Sequence, residues 1–191
     1  MNLVAITGGI GTGKSAVLAR FRSLGGATLD TDDVAHELYA PGGAAWQPLV
    51  SHFGEHIVHA DRQLDRAAIA RRVFAEPAEL AWLNQLLHPL IRERMLAEAT
   101  RVAPHPLFAA VPLWYEVGWE LPGVRVVATW CTASQQLERL RARGWSDGEI
   151  ARRLANQLSK DEKLIRADYA ILTIGSMDDL KEQCIRLYAM L

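Results

Sequence analysis

The residues Gly8-Gly9-Ile10-Gly11-Thr12-Gly13-Lys14-Ser15 fit the pattern G-x-x-x-x-G-K-[ST] at every position. The glycines let the backbone curl until successive N–H groups point into one concavity. A helix starting there aims its partial positive charge at the same spot. Such a loop holds a polyphosphate, with Lys14 in reach of the β- and γ-phosphates and the Ser15 hydroxyl able to hold Mg²⁺. The pattern means this only between a strand and a helix. Leu3-Val4-Ala5-Ile6 precedes it as an apolar run, and Ala16-Val17-Leu18-Ala19-Arg20-Phe21 follows as a helix-compatible one.

Asp30-Thr31-Asp32-Asp33 is the second feature, placed after the short strand Ala27-Thr28-Leu29. Ligands of open α/β sheets sit beyond the carboxyl ends of the strands. If this strand is parallel to the first, the carboxylates face the crevice of the phosphate loop. One of them can orient Mg²⁺ or accept a proton from an attacking hydroxyl. The cluster also reads as the cap of a helix from Val34 to Tyr39, with Thr31 or Asp32 as the capping residue, and both readings can hold together. Leu107 to Val111 forms a further core strand, followed by Pro112-Leu113-Trp114-Tyr115-Glu116. Glu116 at that strand's carboxyl end is a candidate for the Mg²⁺ environment or a second substrate, or is a surface glutamate.

Between these strands, residues 44–102 are patterned as helices without a core strand. Trp46, Leu49, Val50 and Phe53 keep helical spacing, and Asp65 caps a helix through Phe74. Pro77 starts another that ends near Leu87, and His88-Pro89 opens a third with Pro in its favoured first-turn position. An insertion beside a phosphate loop is placed to grip a second substrate. Arg71, Arg72, His88 and Arg92 could supply charge there, and His88 and Arg92, four apart, share a face. A solvated face explains each of them singly.

After a strand from Val124 to Trp130, Thr132-Ala133-Ser134-Gln135 and Ser146-Asp147-Gly148-Glu149 fit capping boxes, opening helices to Arg143 and to about Leu158. This stretch carries Arg139, Arg141, Arg143, Arg152, Arg153, Lys160 and Lys163, with Arg139 and Arg143 on one face. It reads either as a lid whose cations steady charge on a transferring phosphoryl group or as an exposed arginine-rich hairpin. A short strand Tyr169 to Leu172 and a helix capped by Ser176 close the chain. That helix turns Leu180, Cys184, Leu187 and Ala189 toward the sheet.

With 191 residues, half of them apolar, the chain suits one domain with insertions. A net charge of −1 provides no global attraction to nucleic acid or membrane. Cys131 and Cys184 lack C-x-x-C spacing, so buried reduced thiols are expected rather than a metal knuckle. The N-terminus enters the first strand directly, without a signal-type stretch, and no apolar run approaches membrane-spanning length; a cytoplasmic protein is expected.

In chain order these features resemble the dephospho-CoA kinase family. The matching stretches are Thr7 to Ser15, Asp30-Thr31-Asp32, Leu83 to Arg92 with its His88-Pro89-Leu90-Ile91, and Val111 to Glu116. They continue with Gln136 to Leu140, Arg153 to Gln157, Lys163 and Ala167-Asp168-Tyr169. The resemblance implies an α/β P-loop kinase fold: a five-stranded parallel sheet flanked by helices, a helical acceptor subdomain at about 34–102 and a helical lid at about 132–166. The core would be 1–33, 103–131 and 167–191.

The implied reaction transfers the γ-phosphoryl group of ATP to the ribose 3′-hydroxyl of dephospho-CoA, with Mg²⁺. By position, Asp32 looks like the base, with Lys14, Arg139 and Arg143 as catalytic cations. Gly8, Gly9, Gly11, Thr12, Gly13, Lys14, Ser15 and Ala16 line ATP, and Ser15 holds Mg²⁺. Asp30, His88, Arg92 and Glu116 lie on the acceptor side. Ala16 stands where the family usually has Thr, and Gly144 where it has Asp or Asn. Leu172-Thr173-Ile174 replaces a more polar segment on the adenine side, which puts ATP affinity in question.

Two alternatives remain open. One is a P-loop kinase for another acceptor, such as a nucleoside monophosphate or sugar acid. The other is a nucleotide-dependent switch, although the Asn-Lys-x-Asp and D-x-x-G segments of guanine switches are missing.

Overall fold

Five apolar segments pair as parallel strands in the computed structural model, which describes residues 2–191. They are β1 (Leu3–Thr7), β2 (Ala27–Asp30), β3 (Leu107–Ala110), β4 (Arg125–Trp130) and β5 (Tyr169–Leu172), in sheet order β2-β3-β1-β4-β5. β1 and β3 are buried along their whole length, as an unbroken apolar run must be when both sheet faces are covered. The edge strands β2 and β5 are only partly buried. Asp30 pairs with Ala110, Ala110 with Ile6, and Ile6 with Val127. Asp30 therefore stands level with the end of β1, two strand spacings or about 10 Å to the side.

The chain divides into two units: residues 2–30 with Glu98–Leu191, and Thr31–Ala97. In the first, α1 (Lys14–Ser23) buries Val17, Leu18 and Phe21 against the sheet. Phe21 stacks on Phe108 with ring centroids 3.9 Å apart. α9 (Met177–Met190) packs Leu180, Cys184 and Leu187 into the same core. Ala189 is exposed, and Tyr188 packs in its place because it continues the buried stripe one residue after Leu187. Cys131 and Cys184 are buried free thiols. The same unit holds α6 (Ala133–Ala142), α7 (Asp147–Ala155) and α8 (Lys160–Arg166).

The second unit is helical: α2 (Thr31–Tyr39), α3 (Trp46–Phe53), α4 (Arg66–Ala75) and most of α5 (Pro77–Val102). Trp46, Leu49, Val50 and Phe53 are all buried, as their spacing requires. Asp65 caps α4 by accepting from the N–H of Ala68. His52 stacks on Trp82 and meets Glu79 at 2.5 Å, while Arg72 donates to the same carboxylate.

Three boundaries differ from expectation. α2 begins at Thr31, not Val34, so Asp32 and Asp33 lie in its first turn rather than before it. That turn has unpaired N–H groups and favours acidic side chains. His88-Pro89 does not open a helix; α5 runs through it. A proline inside a helix costs about 3 kcal/mol. Leu83, Leu87, Ile91, Met95 and Ala99 recur every fourth residue and are all buried, and this stripe offsets the cost. α7 ends at Ala155 instead of Leu158, because Ser159 takes an extended backbone to cap α8 in a reciprocal box with Glu162. The expected box at Ser146 is half formed: Ser146 accepts from the N–H of Glu149, but the Glu149 carboxylate turns to Arg153 at 2.9 Å. No helix among the described residues is long and apolar enough to cross a membrane.

Candidate active site

The phosphate loop leaves β1 at Thr7 and enters α1 at Lys14. Gly8, Gly11 and Gly13 all have positive φ, at 147°, 79° and 97°. Gly13 takes the left-handed conformation directly before the helix, which places the helix N-terminus beneath the loop. Lys14 folds over it, its ammonium donating to Gly8 O at 2.8 Å and Gly9 O at 3.0 Å. Ser15 is exposed and Ala16 half-buried at the start of α1.

A threonine network fastens the loop from below. The Thr12 hydroxyl donates to Gly9 O at 2.7 Å and lies 2.7 Å from the Thr129 hydroxyl on β4. Thr129 also reaches Thr7 O. A Cβ on Gly8 would sit 2.3 Å from Thr129 Oγ1 and 2.8 Å from Thr129 O. Gly8→Ala is therefore expected to destabilise the protein by roughly 2–4 kcal/mol, from steric crowding plus backbone strain. Chemical denaturation measures this, and an unchanged midpoint would contradict the close packing.

Two glutamines grip the loop tip from the lid stretch. Gln136 on α6 donates to Ile10 O at 2.6 Å, and Gln157 after α7 accepts from the N–H of Ile10 at 3.3 Å. Arg139, also on α6, donates to Thr173 Oγ1 at 2.9 Å and Thr173 O at 2.5 Å. Arg143 is the exposed C-cap residue of α6. The two arginines share a helix but not an environment.

Glu116 Oε1 is engaged by the buried ammonium of Lys163 at 2.6 Å and by the N–H of Leu158 at 2.9 Å. Lys163 donates in addition to Pro112 O at 2.7 Å. Glu116's candidacy for the acceptor thus rests on its other oxygen. Tyr115 packs beside it; burial pushes its phenol pKa up, and Asp168 adds to the shift.

Asp30 closes β2 at the same end of the sheet as the phosphate loop. Within the helical unit, Asp32 is exposed in the first turn of α2. His88 and Arg92 lie one turn apart on α5, His88 half-buried and Arg92 exposed. Burial pushes the His88 imidazole below its usual range, which favours its uncharged form. Arg72, another expected cation, is tied to Glu79. Sequence reasoning gave no role to Gln136, Gln157, Thr129 or Thr173. Gln136 and Gln157 lay inside family-like stretches, a signal that could have found them; Thr129 had none.

A parallel sheet with a phosphate loop between β1 and α1, gripped by residues of a following helical hairpin, defines a P-loop kinase. The family model described as dephospho-CoA kinase matches residues 2–179. A dephospho-CoA kinase of Thiobacillus denitrificans is 37% identical over 190 residues, 98% of this chain and 94% of the relative. The chain belongs to the dephospho-CoA kinase family, and its reaction is ATP-dependent phosphorylation of dephospho-CoA in coenzyme A biosynthesis. Among solved structures, TT1252 from Thermus thermophilus superposes with a TM-score of 0.81 at 32% identity, covering 99% of this chain and 97% of that one. The dephospho-CoA kinase from Campylobacter jejuni has a TM-score of 0.74 at 24% identity, with 98% and 96% covered, and supports the fold.

Proposed function

We propose that the chain places the phosphoryl group on the ribose 3′-hydroxyl of dephospho-CoA, with Asp32 taking the hydroxyl proton. The observation that carries this is the glycine loop, whose positive-φ residues and overlying Lys14 build a polyphosphate cradle on a helix N-terminus. Phosphoryl transfer asks the protein mainly to align groups and neutralise charge. Loop amides from Gly8 to Ala16 and the Lys14 ammonium hold the phosphates. Arg139 and Arg143 face the charge that develops on the transferred group. Position in the family pattern supports Asp30, His88, Arg92 and Glu116 as acceptor-side residues.

Mg²⁺ fits the donors present. Ser15 offers a hard, exposed hydroxyl beside Lys14. Among the described residues no group of three or more His, Cys, Asp or Glu could hold a metal ion by itself. In phosphate-loop enzymes such a hydroxyl holds magnesium together with a carboxylate, waters and the substrate phosphates, so Ser15 would supply one ligand of the set. Bound there, it would neutralise β- and γ-phosphate charge. The stretch 132–166 serves as the lid that excludes water, since water in an open site competes as acceptor. A soluble, cytoplasmic setting suits these substrates.

The test is turnover of purified protein with ATP and dephospho-CoA, the product phosphate being located by NMR. A new phosphomonoester at the ribose 3′ position is expected. Phosphate at another hydroxyl, or ADP release only with a nucleoside monophosphate or sugar acid, would overturn the assignment.

A further inference from the structure

Thr173 follows β5, and only 7% of its surface is exposed. Its hydroxyl lies 2.8 Å from Thr12 O and 3.3 Å from Trp130 O. A hydroxyl has one proton to give, and the shorter approach directs it to the carbonyl of Thr12 in the phosphate loop. Its lone pairs are left for Arg139, whose Nη1 donates at 2.9 Å while Nη2 donates to the Thr173 carbonyl at 2.5 Å. Both arms of the guanidinium thus grip one residue. The Thr173 methyl group also lies against the loop, 3.0 Å from where a Cβ on Gly13 would stand. One side chain therefore touches the loop at Thr12 and Gly13 and holds the cation that flanks it.

Arg139 has five N–H donors. Two serve Thr173, and a third approaches Gly11 O at 3.5 Å. Two remain for a phosphoryl oxygen while the arginine stays docked. A cation helps a transition state most when it need not reorganise as charge develops. A free arginine side chain must first lose its rotamer entropy.

We infer that Thr173 is the positioning residue for Arg139, holding the guanidinium at the rim of the phosphate loop in a preset orientation. Because the same hydroxyl bonds to Thr12, the loop and the arginine keep one mutual geometry. The inference rests on Arg139 acting at the transferred phosphoryl group.

A double-mutant cycle with Thr173→Val and Arg139→Ala, read as kcat and KM for ATP, tests it. Thr173→Val keeps the shape and removes the hydroxyl. It is expected to lower kcat about tenfold, the scale of one hydrogen bond to a charged group, with a much smaller change in KM. Thr173→Ser restores the hydroxyl and should restore most of kcat. In the Arg139→Ala background, Thr173→Val should have little further effect. Equal losses in both backgrounds, a change confined to KM, or no rescue by Ser would overturn the inference. If Arg139→Ala is impaired but Thr173→Val behaves as wild type, this inference alone fails. If Arg139→Ala leaves kcat unchanged, the role of Arg139 fails and the inference with it. Should Thr173→Val not fold, Thr173→Ala in the same cycle carries the same expected and overturning results.

Discussion

Asp32→Asn is expected to lower kcat by about 10²- to 10⁴-fold while ATP binding survives. The substitution preserves the size of the side chain and removes its negative charge and with it the capacity to take a proton. It leaves untouched the parts that carry nucleotide affinity: the loop glycines with positive φ, the Lys14 ammonium and the N-terminus of α1. The loss should therefore appear in turnover and not in the ATP dissociation constant, which calorimetry reads directly. Its size also reports on the transition state. In loose phosphoryl transfer the acceptor proton leaves late, and the carboxylate acts partly by holding the hydroxyl in line. Asparagine keeps one acceptor oxygen for that task, so Asp32→Ala should be slower than Asp32→Asn. Asp33→Asn, in the same turn of α2 and also exposed, removes an equal charge and serves as the control for surface electrostatics. If Asp32→Asn turns over at the wild-type rate, or falls no further than Asp33→Asn, Asp32 is not the base.

The phosphate loop was legible because its chemistry is written in consecutive residues. Glycines at 8, 11 and 13 meet positive φ, and Gly8 also meets a wall of Thr129 atoms that leaves no room for a side chain. Capping at Thr132 and Ser176 was equally local and appears as reciprocal boxes. Harder to see were features in which a global term overrides a local one. Pro89 reads as a helix start by its own preference, yet the buried residues every fourth position from Leu83 to Ala99 carry α5 past it. Ser159 was an oversight of another kind, since Ser159-Lys160-Asp161-Glu162 fits a capping box as local as the others. Contacts made across long stretches of chain left no periodic trace. Thr129 and Thr12 are separated by 117 residues, and Arg139 finds Thr173 over 34. Leu172-Thr173-Ile174 registers in the sequence only as a departure from the family pattern. The structure gives the Thr173 hydroxyl there both a hydrogen bond donated to Thr12 O and one accepted from Arg139.

Lys163→Met is expected to cost about 3–5 kcal/mol, the usual penalty for removing one partner of a buried ion pair. For a chain of this length that corresponds to a fall in Tm of roughly 6–20 °C. The lysine side chain is 0% exposed and that of Glu116 19%, so solvent compensates the glutamate only in part once its partner is gone. Pro112 O would lose the ammonium and keep the Thr7 hydroxyl, at 3.2 Å. Glu116→Gln should also destabilise, because it strands a buried ammonium with a weaker acceptor. Replacing both by Met and Leu should recover much of the loss, since a well-packed apolar pair is often as stable as a buried ionic one. Additive losses in the double variant, or a single variant within about 1 kcal/mol of wild type, would show that the pair does not hold the structure. The consequence reaches the site through adjacent residues. Glu116 also accepts from the N–H of Leu158, which fixes the joint between α7 and α8, and the neighbouring Gln157 holds the Ile10 amide of the phosphate loop. Removing that carboxylate should release the joint, so Glu116→Leu is expected to weaken ATP binding even at temperatures where the fold persists. The apolar double variant should therefore regain Tm without regaining ATP affinity, because only the carboxylate accepts from Leu158.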